Sequence, residues 1–126
     1  MSKDLKNNLK AVASLEPLLR TASANGTGVD LQFYEGALVV FGCGANTDGT
    51  HTPSLQESSD NSTWTAVAAA DQLGTLAALT ANTRQQVGYR GTLRYIRGVV
   101  TVTGSPATGA NTFCDVIKGH DRHSPA

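Results

Sequence analysis

The 126-residue chain carries ten basic and ten acidic side chains, which leaves no formal net charge. A chain of this length forms one domain with a single core and has no room for a second. The balanced charge, without a basic stripe, argues against nucleic acid as a partner, and no apolar run approaches the roughly 20 residues that span a bilayer. We therefore expect one domain with neither nucleic acid nor a membrane as its partner. The first residues also lack the apolar core of a signal peptide, which predicts a protein made and kept in a cytoplasm.

Residues 1–16 are predicted to be a short N-terminal helix or an arm. Leu5, Leu9 and Val12 recur at helical spacing, and Pro17 would end the helix. One or two amphipathic turns are marginal by themselves, so the alternative is an arm that becomes ordered only against a neighbouring subunit.

Two strands joined by a glycine turn are predicted next. The Asn25-Gly26 pair supplies the positive φ angles that a primed hairpin turn requires, so strands are expected over residues 18–24 and 29–33. Residues 36–43 are apolar at nearly every position, which is typical of a strand covered on both faces. This strand is expected in the core.

Residues 44–51 are predicted to form a polar loop. Asn46 and Asp48 offer oxygen ligands two positions apart, which makes calcium one interpretation, but the further carboxylates of an EF-hand loop are missing. His51 could act as a general base, although a histidine in such a loop is usually a solvated surface residue.

Residues 52–67 are expected to be the central hairpin of the fold. The run Ser-Ser-Asp-Asn-Ser, with Asp60 and Asn61 at its tip, has turn chemistry because these short polar side chains bond to their own backbone. Trp64, the only tryptophan, is predicted to pack at the edge of the core with its indole N–H near a partner. Exposed stacking on a ligand is the alternative.

The second half of the chain is predicted to contain one connecting segment followed by strands. Residues 68–80 favour a connection with at most one helical turn, and residues 84–89 a short strand. Residues 92–103 carry the longest strand signal, with β-branched and aromatic side chains throughout. Arg94 and Arg97 in this strand are either a guanidinium pair for a partner's carboxylate or glycan, or cross-strand residues on a sheet face; the residues alone favour the second interpretation.

The last strand is expected over residues 111–118, after a glycine and proline turn. Cys43 and Cys114 each lie in an apolar run, and two buried reduced thiols are expected, with a disulfide as the alternative if the strands are neighbours. His120 and His123 resemble a fragment of a metal site, but two ligands on a tail rarely select zinc.

The motifs of the common enzyme classes are missing from the sequence. It contains no Gly-x-Ser-x-Gly nucleophile elbow, no phosphate-binding loop and no dinucleotide-binding fingerprint. We therefore expect no enzymatic activity, no cofactor and no metal. The fold class predicted is mainly β, an antiparallel β-sandwich or jelly roll over residues 17–119, preceded by the segment 1–16 and followed by a polar tail over residues 120–126.

Two resemblances to known families follow from these elements. Residues 55–67 together with 94–104 are similar to the strand pattern of discoidin-like jelly rolls and other two-sheet sandwiches. A resemblance over nearly the whole chain is to short structural proteins encoded by tailed bacteriophages and prophages. The segments that carry it are Gly28-Val29-Asp30-Leu31-Gln32, Asp48-Gly49-Thr50-His51-Thr52-Pro53, Leu55-Gln56-Glu57-Ser58, Asp60-Asn61-Ser62-Thr63-Trp64-Thr65 and Arg94-Tyr95-Ile96-Arg97.

The phage resemblance implies a virion component, foremost a head-decoration (cement) protein made in the host cytoplasm and bound to the outer surface of the head. Its partners would be the major capsid protein and further copies of itself, as a dimer or trimer. One alternative is a tail or adsorption module that binds a cell-surface glycan through the loops near His51 and Asp60, and another is a neck or tail-completion protein. The residues expected to contact partners are Leu5, Leu9, Val12, His51, Asp60, Asn61, Arg94 and Arg97.

Overall fold

Residues 9–32 and 34–121 are described by the computed structural model of the protein, without the side chains of Glu35, His120 and Asp121. Ten strands and one 3-10 turn make up this part of the chain. They are β1 (Leu9–Arg20), β2 (Ala24–Asn25), β3 (Val29–Asp30), β4 (Tyr34–Asn46), β5 (Thr50–Ser58), β6 (Thr65–Ala66), the 3-10 turn Ala69–Asp71, β7 (Gln72–Leu73), β8 (Thr83–Tyr89), β9 (Tyr95–Thr103) and β10 (Ala110–Asp121).

The strands form two antiparallel sheets. Sheet I has the order β1-β10-β4-β8-β7, and sheet II has the order β2-β9-β5-β6, with β3 also paired to β9. This arrangement confirms the prediction of a mainly β, antiparallel sandwich. In the described part of the chain, no helix is long and apolar enough to cross a membrane.

The core lies between the sheets because one face of each strand is apolar. Val116, Val39 and Val87 are neighbours in register across sheet I, and all three are buried. Ile96 and Val100 of β9 face them from sheet II and are fully buried as well. Side chains alternate between the two faces of a strand, so these positions fix which face of each sheet is the inner one.

Two polar contacts join the sheets at the sides of the core. Ser14 lies in an irregularity of β1; its hydroxyl donates to the Thr27 carbonyl at 2.9 Å and accepts the Gly98 N–H at 3.0 Å. The Tyr89 hydroxyl of β8 donates to Glu57 Oε1 of β5 at 2.7 Å. Burial and the neighbouring Glu57 carboxylate raise the pKa of Tyr89, so the phenol remains the donor at physiological pH.

The helix predicted for the N-terminal segment is wrong over residues 9–15. These residues are the first part of β1, which pairs with β10 from Leu9 to Arg20. A neighbouring strand that supplies main-chain partners outweighs weak helical spacing. Pro17 does not end the element, because β1 is an edge strand whose register is irregular between Leu15 and Leu18, where a missing N–H is tolerated. The predicted boundary between residues 16 and 17 therefore falls inside a strand, and Leu5 lies outside the described residues.

The hairpin predicted around Asn25-Gly26 is also wrong. β2 and β3 both pair with β9 and not with each other, and neither Asn25 nor Gly26 has a positive φ. The Gly26 N–H donates to the Gly98 carbonyl at 2.7 Å, and a Cβ at Gly26 would lie 2.6 Å from that oxygen. Gly26 is therefore required for close approach of two backbones, not for a turn.

The predicted central hairpin forms, with a short second strand. β5 and β6 pair at Gln56 with Ala66 and at Glu57 with Thr65, whereas β5 pairs with β9 over its whole length. The predicted loop 44–51 shrinks to residues 47–49, because β4 and β5 extend into it.

The later elements follow the predicted order. The 3-10 turn matches the single helical turn allowed in residues 68–80, and β8 matches the predicted strand 84–89 closely. β9 matches the predicted strand 92–103 except that it begins at Tyr95. β10 continues to Asp121, two residues into the predicted polar tail. Residues 122–126, including His123, lie outside the described residues.

Candidate functional site

The outer face of sheet I carries one row of residues that is apolar across all five strands. Ala11, Ile117, Leu38, Gly88 and Leu73 are consecutive partners in register and form one row from β1 to β7. A second row beside it consists of Leu9, Gly119 and Gly36. The expectation that β4 is covered on both faces is wrong for the described structure, because its outward-facing Leu38 and Val40 are only half-buried.

Glycines in these rows leave a groove of about 310 Å³. A Cβ placed on Gly36 would meet no atom within 4 Å, so the floor of the groove is open there. We call this feature the apolar groove; it is lined by Leu9, Gly36, Ala37, Leu38, Leu73, Gly88, Tyr89, Ile117 and Gly119. Leu9 is 38% exposed and Leu73 is 58% exposed, which leaves large aliphatic side chains facing solvent at its two ends.

The outer face of sheet II is mostly polar, and Trp64 and Arg97 cover part of it. Arg97 donates from Nε to Gln56 Oε1 at 2.8 Å, and its guanidinium lies 4.5 Å from the ring centroid of Trp64. A Cβ at Gly28 would lie 2.9 Å from Trp64 Cη2 and would also overlap the side chain of Asn61. The turn after β5 therefore folds across this face, and the prediction that Trp64 packs at the edge of the core is wrong.

Arg94 also has its partner within the chain. Its Nη2 lies 2.7 Å from Asp30 Oδ2, and its guanidinium lies 5.1 Å from the ring centroid of Tyr95. The hydrogen bond from Arg94 lowers the pKa of Asp30. Both arginines singled out in the sequence thus have partners within the chain on the sheet II side: Arg97 lies in β9, and Arg94 directly precedes it.

His51 is a buried strand residue, so the expectation of a solvated loop histidine is wrong. It has no exposed surface, and its Nε2 lies 3.1 Å from the Asp48 carbonyl oxygen. Its Nδ1 is buried without a hydrogen-bond partner among the described residues. Because the ring is inaccessible, it offers no contact to a ligand in this structure.

The Asp48 carboxylate holds the loop before β10 in place through hydrogen bonds. Its carboxylate accepts backbone N–H groups from Ala107 at 2.8 Å, Thr108 at 3.2 Å and Gly109. These hydrogen bonds, the one from Gly109 first, lower the pKa of Asp48. The carboxylate that suggested a calcium ligand is therefore engaged by main-chain donors.

The Asp60 carboxylate likewise accepts hydrogen bonds that hold a turn, here the turn after β5. Its Oδ1 accepts the N–H groups of Thr63 and Ser62 and the hydroxyl of Ser58, each at 2.9 Å. The bond from Thr63 is the largest cause of the lowered pKa of Asp60. Asn61, at the tip, has a φ of 61°, which asparagine tolerates in tight turns.

The structure separates the residues that the sequence singled out. Leu9 lies at the apolar groove, whereas Val12 faces inward and packs against the core. Asp60, Asn61, Arg94 and Arg97 lie on the sheet II side, and His51 is inside. The sequence interpretation missed Gly36, Leu38, Leu73 and Ile117; the available signal was that residues 36–43 are apolar on both strand faces.

The described residues hold no group of three or more His, Cys, Asp or Glu side chains placed to bind a metal ion. Cys43 and Cys114 are free and buried. Burial raises the pKa of the Cys114 thiol to about 12, so this thiol is not ionised at neutral pH and is a poor nucleophile.

No protein-family model and no curated protein matches the sequence. Among solved structures, the chain is similar to the crystal structure of SPBc2 prophage-derived protein YomS, with a TM-score of 0.61 and 17% identity over 90% of this chain and 94% of that chain. A chain in the structure of infectious bursal disease virus, Gx strain, gives a TM-score of 0.47 and 10% identity over 93% of this chain and 33% of that chain. The first similarity establishes a shared sandwich fold over nearly the full length of both chains.

Proposed function

We propose that this protein is a structural component of a bacteriophage or prophage virion, and specifically a head-decoration protein on the outer surface of the head shell. The observation that carries the proposal is the sandwich fold shared with a prophage-derived protein over 90% of this chain and 94% of that one. The resemblance of five sequence segments to phage structural proteins points the same way.

The outer face of sheet I is the surface we assign to the major capsid protein. An apolar patch that crosses five strands is unusual on a monomeric protein and typically marks an interaction site. The sandwich beneath it is rigid, because its sheets are joined through Ser14 and Tyr89. A rigid body with an apolar groove on one face fits a protein that strengthens a shell by bridging its subunits.

Further copies of the chain would add to this contact. We propose a homodimer or homotrimer, because several weak contacts to a shell, made at once, multiply their effect on affinity.

The test is co-sedimentation of the purified protein with expanded heads of the phage that encodes it. The wild-type protein should sediment with the heads and raise their resistance to heat. Leu73→Asp, which places a charge on the outer face of sheet I, should reduce binding at least about tenfold, since a buried unpaired charge costs well over 1.4 kcal/mol.

The matched control is Thr101→Asp, an exposed position on the outer face of sheet II. It should bind like wild type. Failure of the wild-type protein to bind heads would overturn the decoration role, and a copy number of a dozen or fewer per particle would favour a neck or tail-completion protein. Immunogold labelling on tails together with a positive glycan array would favour an adsorption module.

A further inference from the structure

A second cavity lies on the outer face of sheet I, at the end of β4 opposite the apolar groove. Its volume is about 320 Å³. The residues that line it include Pro17, Gly44, Asn82, Arg84, Asn111 and Phe113. We call this cavity the arginine pocket. Unlike the apolar groove, it combines a guanidinium and two side-chain amides with apolar surface.

Glycines and an aromatic ring give the arginine pocket its shape. Phe113 and Arg84 are the two register partners of Gly42. A Cβ at Gly42 would overlap Cε1 and Cζ of Phe113, so the ring lies over Gly42 and forms an apolar wall. A Cβ at Gly44 would make only an ordinary contact, 3.7 Å from Asn111 Cβ. The pocket is therefore open above Gly44.

The turn that carries the polar side of the pocket is fixed by its own hydrogen bonds. Asn82 has a φ of 57°, and its N–H donates to the Gly44 carbonyl at 2.8 Å. The Thr83 hydroxyl donates to the Thr80 carbonyl at 2.6 Å. Because the turn is held before a ligand arrives, binding there costs little additional conformational entropy.

Arg84 gives the pocket a positive charge without a partner of opposite charge. Arg84 is exposed, and the only ion pair among the described residues joins Arg94 to Asp30. Asp115, on the same face, belongs to the next register row, opposite Val40, and does not line the pocket. A guanidinium binds a carboxylate through two parallel hydrogen bonds, so a carboxylate is the complementary group.

Exposed apolar surface beside the pocket favours a peptide over a free anion. Leu19 is the register partner of Asn111, so the two side chains project from the same face, and Leu19 is 58% exposed. Leu19 and Arg84 lie three strand spacings apart, about 14 Å. In an extended peptide, two side chains four residues apart point the same way and are about 13 Å apart. One short segment can therefore contact both residues.

We propose that the arginine pocket binds an extended segment of a partner protein. A glutamate or aspartate of the segment pairs with Arg84, and an apolar side chain four residues before it packs on Leu19. The amides of Asn82 and Asn111 hydrogen-bond to the backbone of the segment, since each amide offers both donors and an acceptor. This site goes beyond the Proposed function, because it belongs to the isolated protein and holds or fails without reference to phage heads.

An NMR titration of the ¹⁵N-labelled full-length protein tests the site. The probe acetyl-Leu-Ser-Gly-Ser-Glu-amide should bind with a Kd of about 1 mM. It should shift the backbone amide of Gly44 and the side-chain amides of Asn82 and Asn111, but not the amide of Thr101 on sheet II. The same peptide ending in glutamine should bind at least about tenfold more weakly, because it lacks the charged acceptor. Unchanged pocket signals at about 10 mM glutamate peptide would overturn the proposal.

Two arginine variants with the same change in net charge locate the carboxylate. Arg84→Gln should abolish the preference for the glutamate peptide over the glutamine peptide. Arg90→Gln is the control, because Arg90 is exposed on the same side of the chain's β8 strand end but does not line the pocket; it should keep the preference. If the preference survives Arg84→Gln, or if both variants lose it equally, the carboxylate does not pair with Arg84 and the proposal is wrong.

Sodium glucuronate tests an acidic saccharide as the ligand. It carries a carboxylate but no aliphatic side chain to pack on Leu19, so it should bind at least about tenfold more weakly than the glutamate peptide. Glucuronate binding as tight as that of the peptide would assign the pocket to acidic saccharides and would overturn the assignment to a protein segment.

Discussion

The outer faces of the two sheets belong to one sandwich but have opposite character. On sheet II most outward positions of β5 and β9 are polar, among them Thr52, Ser54 and Thr101, and Trp64 with Arg97 covers part of the surface. On sheet I the outward positions around the apolar groove are aliphatic or glycine, whereas Asp115, Gln86 and Arg84 lie further along the same face. The comparison shows that apolar and polar side chains alternate along strands whose outer face is solvated. The alternation is lost where the outer face packs against another apolar surface.

The largest loss of stability is expected at a position where an added methyl group has no space. Gly98 in β9 faces the core, and a Cβ there would overlap Cys114 Sγ and lie 3.1 Å from Phe41 Cε1. Gly98→Ala should lower the free energy of unfolding by about 3 kcal/mol, because overpacking forces well-packed side chains to move. Urea denaturation followed by Trp64 fluorescence measures this.

The control lies on sheet I, where a Cβ at Gly44 would make only an ordinary contact, 3.7 Å from Asn111 Cβ. Gly44→Ala should leave the urea midpoint unchanged within about 0.5 kcal/mol. If both alanine variants were equally tolerated, the assignment of inner and outer faces would be wrong.

A smaller loss of stability is expected when the contact that holds Trp64 on the outer face of sheet II is removed. Arg97→Ala removes the hydrogen bonds to Gln56 and the cation–π contact with Trp64, so it should cost about 1.5 kcal/mol. The Trp64 emission maximum should move to longer wavelength as the ring becomes more exposed. An unchanged emission spectrum would mean that Arg97 does not hold Trp64 on the sheet.

The loop held by Asp48 should make stability depend on pH. Its pKa is lowered in the folded protein, so the stabilisation is fully present above the unfolded value of about 3.9 and is lost as pH falls through the lower folded value. Asp48→Asn should therefore have a lower Tm than wild type at pH 6, and the difference should shrink below pH 4. A difference of the same size at pH 3 would contradict the role of the ionised carboxylate.

The smallest effect is expected at the ion pair between Arg94 and Asp30. The two side chains are 44% and 42% exposed, so solvent and salt screen their attraction. Arg94→Ala should shift the urea midpoint only slightly at low ionic strength, and the shift should disappear in 1 M NaCl. A large loss that persists in salt would indicate a buried role that the geometry does not support.

Much of the fold could be predicted because it depends on neighbours in sequence. The strands β8, β9 and β10 follow from period-two patterning, and the turn around Asp60 follows from side chains that bond to N–H groups two and three residues away. The site was harder to predict, since the apolar groove combines residues from β1, β4, β7, β8 and β10. Only the apolar residues on both faces of β4 signalled it.

By itself the sequence determined the fold class, the order of most strands and the polar turns, because alternation and turn chemistry act over a few residues. Only the tertiary structure decided that Leu9–Arg20 is a strand, that His51 is buried and that Trp64 lies outside the core. The physical reason is that each of these depends on a partner far along the chain. β1 needs β10, and Ser14 bonds to Gly98, 84 residues away, so no local pattern could reveal these contacts.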